Sequence, residues 1–372
     1  MKEKPSLWLM VIMLMFPQIV ETIYSPALGS IAQSFSVSDA QAAQTLSVYF
    51  LAFAVGVVVW GILADSLGRR PTMLIGLLIY GCASLIAMQT EDFFTLMFAR
   101  ILSAFGIAVG SVVTQTMLRD AFSAEELGKV FSLMGMGIAI SPVLGMVLGG
   151  QLTSVGGYYF VFLTLFIMAL ILLCCNLFQL PETQKEKQQI PLRGLAIRML
   201  KDRQILSSAL LVALYNVALF SYYQLGAFMF KGMGLGAEHF GYSGVVLGLG
   251  TLLGSYINKT LLAKKVSQHI LLLLSALLLT LGAVEVFFTM DSIWFVAGMI
   301  FVVISFGIAI PNVLSVALVN YKAQVGSAGA LFGLSYYLLI GVGLALTAVV
   351  QHLGLVLVVC GAMSLLTTVL RK

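Results

Sequence analysis

Residues 61–71 read Gly61-Ile62-Leu63-Ala64-Asp65-Ser66-Leu67-Gly68-Arg69-Arg70-Pro71. An apolar stretch over 41–64 runs into this segment and another, over 72–90, leaves it. Each flank has about the 20 apolar residues that a helix needs to cross the hydrocarbon of a bilayer. The segment therefore reads as a polar turn between two membrane helices. Its glycines permit a tight turn and close helix approach. Asp65, at a helix end, can accept hydrogen bonds from backbone donors or pair with a nearby arginine.

The same pattern extends in both directions. Of the 372 residues, 60% are hydrophobic and 9% charged, and the mean hydropathy is +1.05. A water-soluble domain carries about 25% charged residues, so a soluble enzyme, a disordered chain and a nucleic-acid binder are all disfavoured. Apolar stretches fall at 7–27, 41–64, 72–90, 93–118, 128–152, 156–180, 204–230, 238–258, 268–290, 292–318, 324–350 and 352–370. They are continuous rather than alternating and about twice the length of a barrel strand, which predicts helices. The run after Lys2 and Lys4 resembles a signal peptide, but it continues through Glu21 to Pro26, and it reads as an uncleaved first span.

Eighteen of the 20 Lys and Arg residues lie at the termini or in alternate loops; Lys231 alone lies in an opposite loop, and Arg100 lies within a span. By the positive-inside rule this places both termini in the cytoplasm, and the expected location is a bacterial-type inner membrane. The polar stretch from Pro181 to Arg203 separates two sets of six spans. The expectation is an all-α integral membrane protein of twelve transmembrane helices in two pseudo-symmetric six-helix halves. These are residues 1–180 and 204–372, joined by a cytoplasmic linker over 181–203, a plan typical of transporters. The linker's basic residues read as a solvated positive-inside loop or as a contact for anionic lipid heads. Cys82, Cys174, Cys175 and Cys360 show no metal or disulfide spacing and read as small buried hydrophobes.

The 61–71 segment resembles the G-x-L-a-D-x-x-G-R-[RK] loop of the major facilitator superfamily, at the corresponding place between spans 2 and 3. Arg100 and Gly106 resemble that family's span 4 signature. Gly137, Ser141, Pro142, Gly145 and Gly149 resemble its span 5 antiporter motif, with Ser141 in place of the usual glycine. Leu118-Arg119-Asp120-Ala121-Phe122 with Glu125 and Glu126, and Pro181-Glu182-Thr183, are similar to the bicyclomycin-resistance branch of drug–proton antiporters. The resemblance implies a central cavity lined by spans 1, 4, 7 and 10. It also implies a cytoplasmic gate of Gly61, Asp65, Gly68, Arg69, Arg70, Arg119 and Asp120, with Asp65 docking near Gln324 to Ser327. In the second half, Asn258 stands at the same offset from Gly254 as Asp65 from Gly61.

Ionisable groups inside a bilayer are costly and face a protein interior or a wet cavity. Glu21 shares one face of span 1 with Gln18, Thr22 and Ser25, with Tyr24 beside them. That face looks into the bundle. A carboxyl in such a cavity can be protonated reversibly near neutral pH, so a proton and a cationic group can compete for it; the alternative is a fixed, hydrogen-bonded carboxyl. Drug-antiporter relatives more often carry an Asp where Thr22 stands. Arg100, with Ser103, Ser111, Thr114 and Gln115 on or near its face, needs partners. The resemblance implies proton relay, and a structural clamp is the other reading. Glu285, near the end of span 9, reads as an interfacial residue. Span 7 carries Tyr215, Asn216, Tyr222 and Tyr223, and span 10 carries Ser305 and Asn312. These polar faces predict a cavity for a small organic molecule.

The leading reading is a secondary active exporter of drugs or metabolites, driven by protons and acting as a monomer in the lipid bilayer. Nutrient import and facilitated diffusion on the same fold are the alternatives. A membrane-embedded enzyme is more remote, since His239, His269 and His352 cluster with no ligand or nucleophile. No G-x-x-x-x-G-K-[ST] loop occurs, so ATP is not the expected fuel. No cofactor, metal or nucleic-acid partner is expected.

Overall fold

A computed structural model describes residues 4–184 and 192–371. Lys2, Lys185, Lys187 and Lys372, and the side chains of Glu125, Lys129, Arg193, Lys322 and Gln324, lie outside the described residues. Among the described residues the chain is helical, with no strand. The helices are α1 (Leu7–Ile23), α2 (Leu28–Ser34), α3 (Asp39–Leu67), α4 (Arg69–Gln89), α5 (Phe93–Ala121), α6 (Ala124–Gln179), α7 (Leu192–Leu200), α8 (Arg203–Gly232), α9 (Ala237–Ala263), α10 (Gln268–Thr289), α11 (Phe295–Ala317), α12 (Val325–Val350) and α13 (Leu353–Leu370). The boundaries follow local chemistry. Ser38 caps α3 and Ser123 caps α6, each in a reciprocal box with Gln41 or Glu126.

Eleven segments of the described chain are long and apolar enough to cross a membrane. One of them, Leu133–Gln179, has 47 residues. At 1.5 Å per residue it would reach about 70 Å, more than twice a hydrocarbon core of about 30 Å. It crosses twice. Gly137 lies against Val11 and Met15, and Gly149 against Ile23. Beyond Gly156, the Tyr158 amide donates to Ser30 Oγ at 3.1 Å, the Phe162 ring lies 5.8 Å from Tyr24, and Asn176 reaches Met13. The chain thus climbs α1 and returns along it. The reversal sits at Gly156 and Gly157, where Gly157 adopts φ 62°, a backbone that a side chain disfavours. Twelve crossings result among the described residues.

Span 1 is longer than the expected 7–27. It continues to Ser34 through a short 3₁₀ turn at Ser25–Ala27, where Pro26 interrupts the α-helical ladder. Cys82 and Cys174 are exposed on the outside of the bundle and Cys175 is half-buried; only Cys360 is buried. The expected burial of all four cysteines is corrected. A thiol is a small hydrophobe, and on the rim of a membrane bundle it meets lipid, so burial is not required.

The two sets of six spans meet along α3 with α12 and α6 with α9. Gln44 Nε2 donates to the Ala345 carbonyl at 3.2 Å, Gln224 Nε2 to the Ala43 carbonyl at 2.8 Å and Ser47 Oγ at 3.1 Å, and Gln151 Nε2 to Tyr242 Oη at 2.7 Å. All these groups lie at the end of the bundle away from the termini, here the far end. Among the described residues no hydrogen bond joins the two halves at the other, basic end. The halves are clasped at the far end.

Candidate functional site

Glu21 is 2% and Arg100 1% exposed. α1 and α5 carry them at the depth where the two halves close. Glu21 Oε1 has no hydrogen-bond partner among the described residues. It feels the charge of Arg100 in the same half, and its own charge is felt by Tyr49 on α3. Across the seam it is felt by Tyr223 on α8 and by Tyr336 and Tyr337 on α12. The carboxyl therefore stands at the junction of both halves, within an aromatic wall. Phe50 packs on Phe220 at 4.6 Å, Phe53 on Tyr337 at 4.9 Å and Tyr336 on Tyr337 at 4.5 Å between ring centroids.

Arg100 takes rings as its partners. Its guanidinium carbon lies 3.8 Å from the centroid of Tyr24 and 4.6 Å from that of Tyr49, a buried cation–π arrangement. No carboxylate of the described residues lies within ion-pair distance of it. Its Nε and Nη2 have no acceptor. Tyr24 is held by its hydroxyl, which donates to Thr45 Oγ1 at 2.7 Å.

The remaining expected cavity residues divide into two groups. Gln18, Ser111, Gln115 and Asn216 are half-buried. α1 and α8 run away from the basic end and α5 runs towards it, so all four lie on the basic side of Glu21, Arg100 and Tyr223. Exposure among these polar residues thus falls from the basic end to the level of Glu21, Arg100 and Tyr223. The other group is turned into the protein. Tyr215 Oη bonds Ser275 Oγ on α10 at 2.8 Å, Tyr222 bonds Ser243 on α9, and Asn312 Nδ2 donates to Asn258 Oδ1 on α9. Thr22 and Ser305 bond carbonyls of their own helices and Ser25 the Glu21 carbonyl one turn back, and Thr114 is buried with an unpartnered hydroxyl. Glu285 does not reach for the membrane surface. Its carboxylate fits against Gly298 of α11, and Thr289 Oγ1 lies 3.3 Å from Oε1.

The loop at 61–71 is tied together. Arg69 Nη1 is 2.8 Å from Asp65 Oδ1 and Arg69 Nε 3.0 Å from Asp120 Oδ2. Asp65 remains 42% exposed, whereas Arg69 is 9% exposed. Arg70 donates to the Leu177 carbonyl at 2.7 Å, and Arg119 is exposed. The docking expected of Asp65 near Gln324 to Ser327 falls partly on undescribed side chains; in this structure its ion pair is with Arg69. Pro181 to Gln184 returns to the same loop. Glu182 Oε1 and Oε2 accept from the Arg69 and Arg70 amides at 3.1 and 3.0 Å, and Gln184 Nε2 donates to the Asp65 carbonyl at 2.6 Å. Gly68 lies beneath the Glu182 carboxylate, while Gly61 has only Val112 nearby at ordinary contact distance. Close approach therefore explains Gly68 and not Gly61.

In the antiporter-like segment Gly145 and Gly149 sit on α1. A Cβ at Gly145 would meet Thr22 Oγ1, and one at Gly149 would meet the Ile23 carbonyl. Ser141 Oγ donates to the Gly137 carbonyl at 2.7 Å, one turn back, beside Pro142 within the helix. These residues set how closely α6 approaches the helix that carries Glu21. Among the described residues no group of His, Cys, Asp and Glu is arranged to hold a metal.

Residues 9–369 match the Major Facilitator Superfamily. An uncharacterized transporter of Rickettsia bellii is 29% identical over 90% of this chain and 87% of its own length. A bicyclomycin resistance protein homolog of Haemophilus influenzae is 25% identical over 68% of this chain and 65% of its own length. The fold is shared with a crystal structure of a bacterial homolog of the human lysosomal transporter Spinster, in an inward-facing, unoccupied conformation. The TM-score is 0.74 at 16% identity, over 97% of this chain and 96% of that one. With twelve crossings, two six-helix halves and a match over nearly its whole length, the chain belongs to the major facilitator superfamily.

Proposed function

We propose that this chain is a proton-coupled exporter of small organic molecules, an antiporter that works by alternating access. Residues 1–180 and 204–372 would be the two rocking halves and 181–203 their cytoplasmic linker. The basic loops and both termini face the cytoplasm of a bacterial-type inner membrane, so the clasped far end is the outer gate and the cavity opens inward. The chain acts as a monomer. A relative bearing the name of a bicyclomycin resistance protein homolog supports a drug or metabolite as cargo.

One observation carries the reading: the Glu21 carboxyl is buried with an unpartnered oxygen, beyond a set of half-buried polar residues that lie towards the basic end. A carboxyl in that place exchanges a proton for a positive group of the substrate. Arg100, Tyr49 and Tyr223 shape its field. The aromatic wall offers stacking area to the cargo body.

The test is efflux in everted membrane vesicles. Wild-type protein accumulates substrate in a way that collapses with an uncoupler, and Glu21→Gln inserts normally but loses proton-driven accumulation. Equilibration indifferent to the uncoupler would identify a uniporter instead, and unimpaired pumping by Glu21→Gln would remove Glu21 from the mechanism.

A further inference from the structure

We propose that the free edge of Arg100 is a carboxylate-binding subsite, and that the cargo is a small zwitterion whose ammonium goes to Glu21 and whose carboxylate goes to Arg100. This rests on the reading of Glu21 as the exchangeable acid.

The argument begins with the shape of the guanidinium. Tyr24 and Tyr49 lie against the planar group at 3.8 and 4.6 Å. Ring faces stabilise the cation but leave its N–H groups without the oxygen acceptors they prefer. Nε and Nη2 share one edge of the guanidinium, and both are unpartnered in a side chain 1% exposed. That edge is the fork that grips a carboxylate through two parallel hydrogen bonds. A buried guanidinium without such a partner is strongly unfavourable, so the edge is built for an oxygen pair.

The surroundings supply further donors. The Tyr49 hydroxyl on α3 is also buried and unpartnered, and the Tyr80 hydroxyl on α4 is buried within reach of the Ser84 side chain. Both feel the charge of Arg100. α3 and α5 thus bring three unpartnered polar atoms to one region, Arg100 Nε and Nη2 and the Tyr49 hydroxyl, with the Tyr80 hydroxyl of α4 nearby. Glu21, on α1, feels the Arg100 charge but makes no ion pair with it.

Charge then selects the ligand. A simple cation satisfies Glu21 and adds positive charge beside Arg100. A simple anion satisfies Arg100 and adds negative charge beside Glu21. A molecule carrying both groups satisfies both partners and keeps the buried pocket neutral. Phe50, Phe53, Phe220, Tyr223 and Tyr337 favour an apolar or aromatic body on that molecule. Protonating Glu21 removes the partner of the ammonium and weakens the zwitterion's hold, so proton entry and cargo release are coupled at one carboxyl.

Three probes with one phenyl body separate these cases: L-phenylalanine, phenethylamine and 3-phenylpropionate. Each is titrated into the purified full-length protein in detergent, with the thermal unfolding midpoint and calorimetric affinity as readouts. L-Phenylalanine is expected to bind at least about tenfold more tightly than either singly charged probe, and Arg100→Gln removes its advantage over phenethylamine. Should Arg100→Gln fail to fold, the wild-type ranking still decides. Equal binding of phenethylamine and L-phenylalanine, or no binding by any probe, overturns the proposal. If the vesicle assay still shows Glu21-dependent pumping, only the zwitterion inference fails. Zwitterion binding together with uncoupler-insensitive transport by wild-type protein and Glu21→Gln would leave the subsite standing and sink the antiport reading.

Discussion

The side-chain amide of Gln224 on α8 donates to the backbone carbonyl of Ala43 on α3 at 2.8 Å, across the seam between the two halves. The same nitrogen lies 3.1 Å from Ser47 Oγ and 3.2 Å from the Leu344 carbonyl on α12. One buried amide therefore holds three helices together at the far end. A hydrogen bond in such a place contributes about 1 kcal/mol net, and a shared one somewhat more. Gln224→Leu is expected to shift the resting population towards the far-end-open state by about 5–30-fold, the equivalent of about 1–2 kcal/mol. Spin-label distances between α3 and α12 near the far end measure the shift. Unchanged distances would show that apolar packing alone closes this end.

Gly149 packs on the backbone of Ile23, and a methyl group there would overlap the Ile23 carbonyl. Backbone cannot rotate away as a side chain can. Gly149→Ala is therefore expected to lower stability by about 1–3 kcal/mol, the usual range for overpacking. Gly135 has nothing within 4 Å of the corresponding position. Gly135→Ala is the control and should leave the melting temperature unchanged or slightly raised, since alanine is the better helix former. Equal losses for both variants would mean that helix packing on α1 is not what the span 5 glycines serve.

Much of this architecture was readable in advance for a simple reason. In lipid each backbone group is satisfied within its own segment, so a run of apolar residues is nearly a structure in itself. The run at 204–230 became α8, Arg203–Gly232. The reversal at Gly156 and Gly157 was legible as the break between the runs 128–152 and 156–180, where Gln151, Thr153, Ser154 and the two glycines interrupt the apolar pattern. The site was less legible. Glu21 and Arg100 stood out as charges among apolar residues, but the partners of Arg100 come from α1 and α3, and no spacing within one helix reveals them. Tyr49, Tyr336 and Tyr337 were missed because an aromatic residue in an apolar run looks the same whether it packs, meets lipid or lines a cavity. Gln224 was missed as a single amide in a long helix.

Glu182 ties the segment after span 6 to the start of span 3. Burial pushes its carboxyl up, but amide donors from Gln184, Arg70, Arg69 and Thr183 together outweigh this and hold it below the usual carboxylate range. A carboxyl lowered on folding contributes stability above its unfolded value, about 4.3, and loses that contribution as pH falls through its folded value. Glu182→Ala is expected to cost about 1 kcal/mol at neutral pH, as for a lost helix cap. Its stability curve should approach the wild-type curve on acidification. Melting temperatures recorded from about pH 7 to about pH 3 test this. Parallel curves across the range would show that the contact contributes nothing.

Tyr222 and Tyr223 are neighbours in sequence on α8, and a helix turns them about 100° apart. The seven-residue spacings 215/222 and 216/223 therefore define two adjacent stripes with different surroundings. Tyr222 is fully buried with its hydroxyl bonded to Ser243 of α9, and Tyr215 is bonded to Ser275 of α10. Tyr223 instead packs on Phe220 at 5.5 Å and feels the charge of Glu21. The first stripe holds the half together and the second borders the candidate site. Tyr222→Phe leaves a buried Ser243 hydroxyl without its tyrosine partner, so it is expected to lower stability by about 1 kcal/mol with little change in transport by the folded protein. Tyr223→Phe should leave the melting temperature nearly unchanged and alter the substrate KM. Measuring both quantities on both variants separates the stripes; a KM change in Tyr222→Phe without loss of stability would place the cavity on the other face of α8.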